Sequence, residues 1–116
     1  MATVVRELEA LERLHSDFGF RYVELAQALN TSEPTLHRWR RGNSAEPTPV
    51  YLKRLEALEA FLVELDELFA KPSAAATWLD KSLSVLKNRT PREMIVDGHV
   101  DRVTGVLYAF NAGVSL

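Results

Sequence analysis

The chain has 116 residues, a formal net charge of −2 and no cysteine. This length suffices for one compact domain or for two very small ones that share a core. A chain without cysteine has no disulfide bonds, thiol nucleophiles or thiolate metal ligands. Charged residues interrupt the apolar stretch at Met1–Glu7. The start of the chain therefore matches neither a signal peptide nor a membrane span, and we expect a cytoplasmic protein without membrane contact.

Charge is distributed unevenly along the chain. Residues 18–54 contain six arginines and lysines against three glutamates, which gives this stretch a charge of +3. Residues 55–70 contain five acidic residues and no basic one, a charge of −5. A basic segment beside an acidic one indicates two surfaces with different partners. Two solvated helix faces would give the same pattern, and charge alone does not separate the two interpretations.

Three helices are predicted in the first part of the chain. Apolar residues at helical spacing predict an amphipathic helix from Val5 to about Gly19. A second helix over about 22–29 is predicted to bury its apolar residues, which are Val23, Leu25, Ala26 and Leu29. Asn30 tolerates the left-handed turn conformation. Ser32 is then the N-cap of a third helix that stops at Gly42.

A long fourth helix and three shorter elements complete an all-α fold. Thr48 and Pro49 open the fourth helix, which continues to about Phe69. Lys71–Ser73 interrupts it, so the predicted domains are residues 1–71 and 72–116. The second domain has a short helix with Trp78, an irregular piece over 80–89, a helix capped by Thr90 and a last helix over about 100–112. No strand-period run appears.

The second and third helices have the spacing of a helix-turn-helix. Ala26 lies four residues before Asn30, and Leu36 and Trp39 follow where they anchor the next helix. This pattern resembles the Xre-like regulators, with Asn30 in the place of the usual glycine. The residues predicted to reach base edges are Glu33, Pro34, His37, Arg38 and Arg41. Those predicted to contact phosphates are Thr31, Ser32, Arg40 and Asn43.

Other functional classes have little support in the sequence. An arginine-bearing helix face is common on solvated helices, so the fold alone does not establish DNA binding. The three histidines, at 15, 37 and 99, are scattered without metal-ligand spacing. No nucleophile–base set or glycine-rich phosphate loop is present. We therefore expect no catalytic residues, no metal site, no cofactor and no enzyme activity.

The second part of the chain resembles the Xre/MbcA/ParS toxin-binding domain. The similarity rests on Trp78-Leu79, Thr90-Pro91, Asp97-Gly98, Val103 with Leu107, and Gly113-Val114. It covers roughly the last 45 residues and follows a helix-turn-helix, as in that family. The chain departs from the family at 86–89, where members often carry one or two glycines before the threonine.

The resemblance implies an antitoxin of a type II toxin–antitoxin pair. Its partner would be a RES-domain toxin that degrades NAD. Its second ligand would be operator DNA. The expected assembly is a homodimer or a toxin–antitoxin hetero-oligomer. In that family the C-terminal segment covers the toxin's active-site entrance. Carried over to this chain, the toxin-binding residues are Arg89, Arg92, Arg102, Asn111, Ala112, Gly113, Val114, Ser115 and Leu116.

Two alternatives stay open from the sequence. One is a stand-alone helix-turn-helix transcription regulator whose C-terminal helices dimerise or sense a ligand. The other is a toxin binder whose helix-turn-helix no longer binds DNA, which would agree with the weak overall charge.

Overall fold

The computed structural model describes residues 5–42 and 46–113, and in these ranges the protein is all-helical, as predicted. The α-helices of the described residues are α1 Val5–Phe18, α2 Tyr22–Ala28, α3 Glu33–Arg41, α4 Pro49–Leu68, α5 Pro72–Leu79, α6 Pro91–Val96 and α7 Val100–Asn111. A short 3-10 turn lies at Ser84–Leu86. None of these helices combines the length and apolar character that crossing a membrane requires.

Helix ends lie where local chemistry places them. Asn30 has a φ of 57° and Gly42 a φ of 69°, so both adopt the left-handed conformation that ends a helix. The Ser32 hydroxyl accepts the backbone N–H of Thr35 at 3.2 Å and caps α3. At α6, Thr90 Oγ1 accepts the N–H of Glu93 at 3.1 Å. The Glu93 carboxylate in turn accepts the N–H of Thr90 at 2.9 Å, which completes the predicted capping box.

One hydrophobic core connects both parts of the chain. Helix α4 packs against α1 and against α7, while α1 also contacts α5 and α2 contacts α6. The fully buried side chains come from both sides of residue 71 and include Leu11, Leu14, Leu55, Phe61, Leu65, Leu79, Ile95, Val103 and Leu107. The two parts therefore share one core, and the domain boundary at residues 71–72 remains a prediction.

Two details of the sequence prediction change. Val23 was expected in the core, but its side chain is 46% exposed because it lies on the outer side of α2. The piece over 80–89 is more ordered than expected, since Leu83 and Arg89 form an antiparallel bridge around the 3-10 turn. At the tip of this loop, Lys87 has a φ of 57° and Asn88 a φ of 66°. The left-handed conformation thus occurs where the family often has glycine, although neither residue is glycine.

If the two parts share one core, they should unfold together. The chain carries one tryptophan on each side of residue 71, Trp39 and Trp78, so Trp39→Phe and Trp78→Phe each leave one local fluorophore. We expect the two variants to show superimposable fluorescence and circular dichroism transitions in urea. Adding Leu79→Ala should lower the free energy of unfolding by about 2–5 kcal/mol as reported by either tryptophan. If Leu79→Ala shifted the urea unfolding transition reported by Trp78 but not the one reported by Trp39, the two parts would be independent domains.

Candidate functional site

The helix-turn-helix is held from both sides of its turn. Leu36 and Trp39 are buried, as predicted for anchors of the second helix. Within the turn, the N–H of Thr31 donates to the carbonyl oxygen of Ala26 at 2.9 Å. From α4, Arg54 Nη1 donates to the carbonyl oxygen of Leu29 at 3.1 Å. This carbonyl lies at the end of α2, where helix carbonyls lack an internal partner, so α4 braces the turn.

The outer face of α3 presents two arginines to solvent. Pro34, Arg38 and Arg41 are exposed. Arg38 Nη2 donates to Thr35 Oγ1 at 2.9 Å, which leaves the rest of its guanidinium accessible. Arg41 forms no ion pair with any of the residues that the structure describes. Two cations one helical turn apart on an exposed face suit contact with the negatively charged backbone and the base edges of a nucleic acid duplex.

The structure describes two of the predicted phosphate contacts near the start of α3, Thr31 and Ser32. Ser32 is exposed beside the first turn of α3 and Thr31 is half-buried, and Glu33, which was predicted to reach base edges, is exposed next to them. A helix N-terminus offers free backbone N–H groups to an anion, which suits a phosphate. Asn43 lies outside the described residues. The roles of all four residues in DNA binding stay predictions.

Arg40 is engaged within the molecule. Its Nε and Nη2 both donate to the Glu12 carboxylate on α1, with Nη2 at 3.2 Å from Oε2. Its guanidinium carbon lies 4.2 Å from the centre of the Tyr22 ring. The Tyr22 hydroxyl donates to Glu12 Oε2 at 3.1 Å. The hydrogen bonds between Arg40 and Glu12 lower the pKa of the Glu12 carboxyl and raise the pKa of the Arg40 guanidinium. Arg40 therefore ties α3 to α1, a contact between distant residues that helical spacing could not predict.

His37 belongs to the same network. Arg40 Nη1 lies 2.8 Å from His37 Nδ1, and since a guanidinium can only donate, Nδ1 is the acceptor. His37 Nε2 lies 3.3 Å from Glu33 Oε2. The His37 ring also meets the Tyr22 ring edge-on at 5.1 Å. His37 is thus half-buried and partnered, whereas the sequence placed it pointing outward with Arg38 and Arg41.

We expect Glu12→Gln to destabilise the fold in a pH-dependent way. Glu12 has its pKa lowered from 4.5, chiefly by Arg40, so its stabilising contribution is complete above 4.5 and is lost as the pH falls through the lowered folded-state value. At pH 7 the variant should lose about 0.5–1 kcal/mol of unfolding free energy, because the pair is partly exposed. The difference should diminish as the pH falls through the lowered folded-state pKa of Glu12, measured by urea unfolding over a series of pH values from 7 downward.

Glu9→Gln provides the matched control for this measurement. Glu9 lies on an exposed face of the same helix and makes no ion pair with the described residues. Equal losses of stability for the two variants at pH 7 would show that the ion pair to Arg40 contributes nothing.

The three predicted toxin-contact arginines do not form one rim. Arg89 pairs with Asp97, and Arg102 is exposed. Arg92 points elsewhere: its Nε donates to Asp80 Oδ1 at 2.7 Å and its guanidinium carbon lies 4.5 Å from the centre of the buried Phe20 ring. The Arg92 side chain is only 18% exposed. Arg92 therefore links α6 to the α1–α2 connection, and the role of these arginines toward a toxin stays a prediction.

The end of α7 is fixed to α4. Asn111 Nδ2 donates to the backbone carbonyl of Glu64 at 3.3 Å and to its carboxylate at 2.9 Å. Ala112 and Gly113 follow as exposed residues. Residues 114–116, which complete the predicted toxin-binding segment, lie outside the described part of the chain. Gly113, the last residue of this segment that the structure describes, thus follows a defined point of contact on α4.

Exposed apolar side chains lie beside this point. Val63 is 54% and Tyr108 65% exposed, and both line a shallow groove that includes Asn111 and Ala112. Sequence reasoning missed these two residues. Tyr108 follows Leu107 directly on a short helix, and the helical pattern could have placed it on the outer face.

The geometry defines an all-helical protein in which a helix-turn-helix and a smaller helical unit share one core. No family model and no curated protein matches the sequence. The chain is similar in structure to one in the crystal structure of the M. tuberculosis MbcT-MbcA toxin-antitoxin complex. The TM-score is 0.73 at 25% sequence identity, over 100% of this chain and 99% of that chain. The chain has the fold of an MbcA-type antitoxin, which confirms the predicted resemblance.

Proposed function

We propose that the protein is the antitoxin of a type II toxin–antitoxin pair. The observation that carries the proposal is the structural similarity to a chain of a toxin–antitoxin complex over 100% of this chain and 99% of that chain. A likeness confined to the helix-turn-helix would suit any regulator, but this one also includes the C-terminal helices, whose motifs resemble a toxin-binding domain. The protein acts in the cytoplasm by binding, without a cofactor or catalytic residues of its own.

The proposed toxin is a RES-domain enzyme that degrades NAD. This choice rests on the motifs of the second part, from Trp78-Leu79 to Gly113-Val114, which resemble the Xre/MbcA/ParS domain. The proposed contact is the C-terminal segment together with the groove beside it. The apolar Val63 and Tyr108 in that groove support this choice, since exposed aromatic and aliphatic side chains favour protein partners.

The proposed second activity is repression of the protein's own operon. Arg38 and Arg41 lie on the exposed face of α3, the recognition helix of a helix-turn-helix. One such unit contacts few base pairs, so we propose that a homodimer or a toxin–antitoxin hetero-oligomer presents two units to paired half-sites.

Replacing Arg38 and Arg41 together by alanine should weaken operator binding at least about 30-fold, since each guanidinium contact to a base edge contributes about 1–3 kcal/mol. The measurement is fluorescence anisotropy with DNA from upstream of the gene, over a series of salt concentrations. Lys71→Ala with Lys81→Ala removes the same charge from exposed positions of the second part and is the matched control. Equal affinity of both double variants would mean that α3 does not read DNA.

Deleting residues 113–116 should abolish neutralisation of the toxin. This deletion keeps Asn111 and its hydrogen bonds to Glu64, so the helical body should retain its thermal midpoint. The readout is growth during co-expression with the adjacent RES-domain gene, alongside operator binding, which the truncated protein should keep. Undiminished protection would contradict a role for the tail. Absence of a neighbouring RES-domain gene would favour the stand-alone regulator instead.

A further inference from the structure

A small pocket in the second part of the chain brings together two of the three arginines predicted to contact a toxin, Arg89 and Arg102. It is formed by the loop that carries the left-handed residues and by the first turn of α7, and its volume is about 140 Å³. The residues around it are Leu86, Lys87, Arg89, Met94, His99 and Arg102. Leu86 and Met94 are buried and form an apolar floor. The other four side chains bear nitrogen donors.

The charge around this pocket is one-sided. Lys87 and Arg102 form no hydrogen bond or ion pair through their side chains with any described residue. Arg89 Nη2 pairs with Asp97, but its Nη1 lies 3.6 Å from Met94 Sδ, a weak acceptor. No carboxylate is among the lining residues. Three cations are therefore balanced by one acid.

The neighbouring acids either act on Arg89 or lie in a separate cavity. The Glu93 carboxylate accepts the Thr90 N–H, and this hydrogen bond lowers the pKa of Glu93. Asp101 lines a separate cavity near Asn30. Asp97 and Glu93 thus offset the charge of Arg89, whereas the side chains of Lys87 and Arg102 have no acidic partner among the described residues.

The backbone fixes Lys87 in this arrangement. Its N–H donates to the Ser84 carbonyl at 3.0 Å, and the N–H of Asn88 donates to the Leu83 carbonyl at 2.9 Å. The left-handed conformation of a residue such as lysine costs about 1–2 kcal/mol relative to the right-handed one. The fold thus holds a strained lysine near two arginines, although like charges repel each other.

We propose that this pocket binds a small oxyanion, with inorganic phosphate as the strongest free ligand and a carboxylate group as a weaker one. A volume of about 140 Å³ accommodates an anion that displaces a few water molecules, but not a nucleotide. Guanidinium and ammonium groups match the charge and donor geometry of phosphate and carboxylate oxygens. The anion could come from solution or from an acidic side chain of a bound protein, and both present the same chemistry to the pocket.

The test titrates inorganic phosphate into the ¹⁵N-labelled full chain, with sodium chloride at matched ionic strength as the reference. Phosphate should cause saturable shifts in the amide resonances of 86–89 and 99–102 that chloride does not cause. Lys87→Gln with Arg102→Gln should weaken phosphate binding about tenfold, because two contact-distance charges are lost. Lys71→Gln with Lys81→Gln, the same charge change outside the pocket, should leave it unaltered. Shifts that equal those with chloride, or that survive the pocket substitutions, would overturn the proposal.

A second arm identifies the source of the anion, and only this arm rests on the proposed antitoxin function. The pocket double variant is co-purified with the RES-domain partner next to wild type. Reduced capture by the variant would place an acidic side chain of the partner in the pocket, whereas unchanged capture would assign the pocket to the free anion. Failure of the wild-type chain itself to capture the partner would count against the antitoxin function and leave the phosphate result standing.

Discussion

The burial of α4 between α1 and α7 is the constraint on which the rest of the structure depends. Leu55, Phe61 and Leu65 of this helix are fully buried, and the core around them draws on both parts of the chain. A unit of about 45 residues buries too little surface to be stable alone. Packing along a shared helix solves this problem for both parts. It also fixes their relative orientation, so the exposed surfaces belong to one body.

This helix also sets the distance between the two proposed binding surfaces. Near its start, Tyr51 Oη donates to the Asn30 carbonyl in the turn of the helix-turn-helix, at 3.4 Å. Near its other end, Glu64 accepts Asn111 at the base of the tail. Thirteen residues of helix separate these contacts, a distance of about 20 Å along the axis. The two proposed surfaces therefore lie near opposite ends of one helix.

Carboxylates from other helices decide which arginines remain available to ligands. Glu12 engages Arg40, and Asp80 engages Arg92 over the Phe20 ring. These two arginines hold helices together. Arg38, Arg41 and Arg102 have no such partner among the described residues and keep their charge at the surface. An exposed guanidinium contributes little to folding through a surface ion pair, so these three arginines are the ones that the proposed binding surfaces can use.

The sequence by itself determined the helices and their ends, because apolar periodicity, Ser32 and Thr90 as caps, and Asn30 and Gly42 as stops act within a few residues. It also determined the antitoxin-type fold, through motifs spaced along the chain. Tertiary structure alone decided which charged side chains are free, since Glu12 and Arg40 are 28 residues apart and meet only when α1 and α3 pack together. The cationic pocket has the same origin, because a loop and a helix turn from different segments converge there.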